Sequence, residues 1–82
     1  MLHVTEFRLL GGTRLWARFD DGRAGEIDLR DELDGPVFGP LRDAQLFAAA
    51  TLDPLTRTIV WPNGADFAPE FLASLIEATA AR

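Results

Sequence analysis

Polar and apolar residues alternate most strictly over Arg14-Leu15-Trp16-Ala17-Arg18-Phe19, with Leu15, Ala17 and Phe19 on one side and Arg14, Trp16 and Arg18 on the other. Period two with a polar far side predicts a half-buried antiparallel strand. A second alternating run follows Asp20-Asp21-Gly22, with Gly25, Ile27 and Leu29 set against Glu26, Asp28 and Arg30. Side-chain parity selects the turn between the two runs. A two-residue Asp21-Gly22 turn would put Ile27 opposite Trp16, an apolar face against a polar one. A three-residue Asp20-Asp21-Gly22 loop pairs Phe19 with Arg23, Ala17 with Gly25 and Leu15 with Ile27. It also sets glycine at the left-handed position such loops need. The outer face then carries Arg14 opposite Asp28 and Trp16 opposite Glu26.

The flanking segments are read the same way. Val4 to Leu9 is rich in strand formers and is broken by Gly11-Gly12. Asp31 to Pro40, punctuated by Gly35-Pro36 and Gly39-Pro40, predicts a crossing loop with one turn near Asp31–Leu33. Leu41 to Phe47 suits a short helix. Phe47 to Leu52 fits either a continuation of that helix or a strand, and the tight Asp53-Pro54-Leu55-Thr56 turn before Arg57-Thr58-Ile59-Val60-Trp61 favours a hairpin. Pro62-Asn63-Gly64 ends the sheet. Asp66 is placed to cap a final helix, with Pro69 and Glu70 in or next to its first turn. Phe67, Phe71, Leu72, Leu75, Ile76 and Thr79 form one apolar stripe running to about Ala80. The predicted architecture is a two-layer α+β domain: an antiparallel sheet with one long C-terminal helix packed on one face.

Composition narrows the chemistry. The chain has 82 residues, which suits a single domain. It has no cysteine, and every base is arginine, which excludes disulfides, thiolate chemistry and Schiff-base lysines. The net charge is −5. Asp20 to Asp34 holds seven acids against two arginines, and the rest of the chain balances six acids with six arginines. The whole excess therefore sits in that stretch, and it disfavours direct binding to phosphate backbones. No apolar run approaches a membrane span, and the first residues lack signal-peptide form, so a cytoplasmic protein is expected.

The string Trp61-Pro62-Asn63-Gly64-Ala65-Asp66, followed by Pro69-Glu70, is distinctive. Val4-Thr5, Asp21-Gly22, Ile27-Asp28-Leu29, Pro40-Leu41-Arg42-Asp43, Phe47 and Thr58-Ile59-Val60 precede it. Together they resemble the bacterial family of domain of unknown function 2442, across nearly the whole chain. That resemblance implies a β3-α-β2-α fold and a small bacterial protein without an established activity. It also implies relatives with a C-terminal helix-turn-helix, and others encoded in pairs that look like toxin–antitoxin systems. The sequence ends at Arg82, just past the predicted helix, so no DNA-reading appendage is expected on this reading. A molybdopterin-nucleotide role attached to some relatives finds no glycine-rich phosphate loop here.

Two groups of residues stand out. Arg14, Trp16 and Arg18 make an outward tryptophan between arginines, the composition of an interaction hot spot. Beside them Glu26, Asp28, Asp31, Glu32 and Asp34 form an acidic rim suited to a basic partner. The competing reading is a cross-strand cluster in which Arg14 pairs Asp28 and Trp16 packs on its neighbours, with the acids simply solvated. Trp61, Pro62, Asn63, Gly64 and Asp66 are read as structural: an inward indole, a strand stop, a turn and a helix cap. The acids lack calcium-loop spacing, so no metal or cofactor is expected. His3 has no second ligand and is read as a surface residue. No enzyme is expected. The expected role is a protein-interaction module, antitoxin-like or accessory in a two-gene system, with a protein partner or self-association. The alternatives are a nucleic-acid-associated regulatory module and a small-ligand binder.

Overall fold

The computed structural model describes residues 1–80. Strands β1 (Val4–Gly11), β2 (Arg14–Phe19) and β3 (Ala24–Asp28) form an antiparallel sheet in that order. The β2–β3 register is the one parity requires: Arg14 faces Asp28, Leu15 faces Ile27, Trp16 faces Glu26 and Ala17 faces Gly25. Phe19 N–H donates to Arg23 O at 2.8 Å, which closes the three-residue loop, and Gly22 takes φ 93°. Leu15, Ala17, Phe19 and Ile27 are buried on the inner face.

The crossing segment is wound rather than open. A 3-10 turn at Arg30–Glu32 leads to α1 (Gly35–Phe38), a second 3-10 turn at Gly39–Arg42 and α2 (Ala44–Phe47). The two Gly-Pro pairs start these turns instead of breaking structure, because proline is tolerated in a first turn, where its missing N–H has no intrahelical partner to lose. The helix expected over Leu41 to Phe47 is accordingly split at Asp43, whose carboxylate caps α2 by accepting from Leu46 N–H at 3.0 Å.

The expected hairpin exists but is short. Only β4 (Thr51–Leu52) and β5 (Ile59–Val60) pair, as a second two-stranded sheet. Phe47 closes α2 with its ring in the core, so the strand expected from Phe47 shrinks to its last two residues. Arg57 takes φ 54°, which bends the chain out of the strand expected to begin there. Its carbonyl accepts from Val4 N–H at 2.9 Å, joining the hairpin to the start of β1.

Asp66 does not cap the last helix. Its backbone bridges Val60, and α3 (Pro69–Ala80) starts three residues later with proline at its first position. In the intervening chain Phe67 fills the core and its carbonyl accepts from the buried Thr58 hydroxyl at 2.7 Å. Helix α3 buries Leu72, Ala73 and Leu75 and lies against β3. Contact there is close: a Cβ on Gly25 would stand 2.6 Å from Ile76 Cγ2. The strand–helix order β3-α-β2-α holds, with the strands divided between two sheets. No helix among the described residues is long and apolar enough to cross a membrane.

Candidate functional site

Alternation turns Arg14, Trp16 and Arg18 away from the core, onto the face opposite Leu15, Ala17 and Phe19. Strand β1 completes this face, because its register sets Glu6 opposite Arg18 and Arg8 opposite Trp16. Trp16 is half-buried there. The Arg8 guanidinium stands 5.4 Å from the indole centroid and that of Arg18 5.3 Å. Glu6 reaches both arginines, with Oε2 at 3.0 Å from Arg8 and Oε1 at 3.4 Å from Arg18. An exposed cation–π contact contributes about 0.5–1 kcal/mol and a surface ion pair about 0–1 kcal/mol. The cluster therefore adds modestly to folding, while it holds a large aromatic in one place.

Arg14 stands directly opposite Asp28 and forms an ion pair with Glu26, diagonal to it on the same face. The Asp28 carboxylate is turned toward the strand ends, where Oδ1 accepts from the Thr13 hydroxyl at 2.8 Å and Arg30 N–H at 3.0 Å. Glu26 has the extra methylene to reach diagonally. Asp31 and Glu32 lie in the 3-10 turn after β3. Asp34 precedes α1 and pairs with Arg42 at 3.3 Å, and Arg42 also donates to the carbonyls of Leu33 and Arg30. The sequence-predicted residues thus fall into two groups, Arg14, Trp16, Arg18 and Glu26 on the sheet face and Asp31, Glu32 and Asp34 on the wound crossing segment, with Asp28 between. The sequence reading missed Glu6 and Arg8. A count back from the Gly11-Gly12 turn does not find them, because a register shift between Leu9 and Gly11 displaces every later pair by one.

The Trp61–Asp66 block ties the second hairpin to the crossing segment. Trp61 is buried, and its indole N–H donates to Phe47 O at 2.9 Å. Asn63 donates to Val37 O at 2.9 Å and accepts from Ala65 N–H at 3.1 Å. Gly64, at φ 88°, closes the turn with its N–H on Trp61 O. Asp66 contributes a backbone bridge to Val60 and not a helix cap.

His3 is half-buried and paired, not a free surface group. Its backbone N–H donates to Asp20 Oδ1 at 3.0 Å and its ring Nδ1 lies 2.8 Å from Oδ2. The backbone donor first, then the ring, hold the Asp20 carboxyl below its ordinary value. Asp21 is lowered too, first by the Arg23 N–H and then by its side chain. His3 also borders an open cleft of about 400 Å³ between β1 and the β4–β5 hairpin, with Thr5 and Arg57 on its walls. Among the described residues no group of three His, Asp or Glu side chains is arranged to hold a metal ion.

The family model described as "Protein of unknown function (DUF2442)" matches residues 4–78. The chain belongs to the DUF2442 family. No curated protein matches this DUF2442 chain. Its fold is that of a crystallised protein from Nitrosomonas europaea, provisionally named a DNA binding protein, with a TM-score of 0.82 at 21% identity. The similarity covers 99% of this chain and 52% of that one, so the DUF2442 chain spans about half the length of the solved structure.

Proposed function

We propose that this DUF2442 domain is a non-catalytic protein-interaction module whose contact surface is the outer face of the β1–β3 sheet, centred on Trp16. The Trp16 cluster carries the reading: an indole held by two guanidiniums, on the sheet face opposite the core. Tryptophan and arginine are the side chains that most often dominate binding energy, and a pre-positioned aromatic loses little freedom on contact. The acidic excess of Asp20 to Asp34 favours a partner with basic side chains. Within this reading the domain serves as the antitoxin-like or accessory member of a two-gene bacterial system.

The test is affinity capture from the native host with wild type and Trp16→Ala. The variant loses two cation–π contacts, roughly 1–2 kcal/mol, and keeps its circular dichroism spectrum. A specific partner retained by wild type and lost by Trp16→Ala supports the assignment. Identical partner sets for the two remove this face from consideration.

A second reading has one observation in its favour, the DNA-binding name of the N. europaea protein, of which this chain spans about half. The domain would then be a regulatory module within nucleic-acid-associated proteins, with the DNA contact made elsewhere in such chains.

A further inference from the structure

Strand β1 is the edge of the three-stranded sheet, and it is eight residues long. Register shifts between Val4 and Glu6 and between Leu9 and Gly11 leave Glu6 to Leu9 as its regular part, and an exposed regular edge is a template for another strand. The backbone direction follows from the register. Phe19 N–H points to β3, so Ala17 and Leu15 point there too, and Arg18 and Trp16 point to β1. Their partners Glu6 and Arg8 are thereby satisfied, which leaves the N–H and C=O of Phe7 and Leu9 on the open side. The second hairpin bonds this edge at Val4, through Arg57 O, and borders Thr5, so the open part of the edge begins at Glu6. Beyond it, Leu9 and Leu10 are 39% and 50% exposed, and Phe7 is half-buried.

The side chains say which strand fits. Glu6 and Arg8 sit on one face, one residue to either side of Phe7. An antiparallel copy of β1, placed with Phe7 opposite Phe7, sets each Glu6 against the other copy's Arg8, twice. It sets apolar Phe7 against its mate on the inner face. Centring on Arg8 instead would oppose two guanidiniums. Centring on Leu9 would leave both charges facing Leu10 and Gly12. Only the Phe7-centred register matches charge and hydrogen bonding together.

We propose that β1 pairs with β1 of a second copy of this chain, antiparallel about Phe7, to make a continuous six-stranded sheet with Glu6 and Arg8 exchanged between copies. The proposal stands on the sheet edge and is independent of the partner reading of Trp16. It would set two Trp16 faces side by side on one surface.

Sedimentation equilibrium tests it with four samples: wild type, Glu6→Arg, Arg8→Glu, and an equimolar mixture of the two variants. Wild type is expected to be a dimer. Each single variant opposes like charges twice and should self-associate at least roughly tenfold more weakly. The mixture pairs an all-arginine edge with an all-glutamate edge and should recover the dimer. Circular dichroism confirms that each variant is folded. A monomeric wild type, unweakened single variants, or folded variants whose mixture stays monomeric would each overturn the proposal.

Discussion

At the residue scale the clearest determinant is a charge that the fold uses but the pattern hides. Asp20 follows β2 as the first residue of the hairpin loop and binds His3 through both oxygens. The His3 backbone N–H leads in holding its carboxyl below the ordinary value of 3.8. A lowered folded value stabilises the native state above the ordinary value, and that contribution is lost as pH falls through the folded one. Asp20→Asn is therefore expected to destabilise the protein at neutral pH, with the gap to wild type closing in acid. Urea titrations at neutral pH and below the ordinary aspartate range check this, and a constant gap would contradict it. His3 looked solvated in the sequence because its partner lies 17 positions away and is brought near only by β1–β2 pairing.

At the scale of elements, close approach decides. Gly25 lies in a strand, where glycine is normally a weakness, yet α3 leaves no room for a Cβ beside Ile76. Gly25→Ala should cost about 1–3 kcal/mol through overpacking, because a β-branched side chain in a helix has little rotamer freedom to yield. In an Ile76→Ala background the same substitution should cost markedly less, a coupling that a double-mutant cycle in urea reads directly. Trp61→Phe deletes the indole donor to Phe47 O and leaves unfilled volume, for an expected loss of roughly 1–3 kcal/mol. Thermal denaturation followed by circular dichroism checks it. The β2–β3 hairpin was legible because no bulge interrupts its parity. The first hairpin was not: a register shift between Leu9 and Gly11 moves every pair by one relative to a count from its turn. That shift is why Arg8, which stands over Trp16, escaped a reading made along β2 alone.

For the whole molecule, the −5 net charge predicts a flat anisotropy titration against duplex DNA at low salt. Strong, salt-sensitive binding would shift weight to the nucleic-acid-associated reading. Alternation by itself determined the inner and outer faces of β2 and β3, their register and the α+β class, because period two and the helical stripe are local properties of the chain. Residue chemistry likewise marked Trp16 and its flanking arginines. Only the tertiary structure decided the rest. It wound the crossing segment, since proline both breaks and begins helical turns and the sequence does not say which. It delayed the last helix to Pro69, because Phe67 had first to reach the core and Thr58. It gave Arg14 to Glu26 and Trp16 to Arg8, because which side chains meet across strands depends on reach and on bulges that no local pattern records.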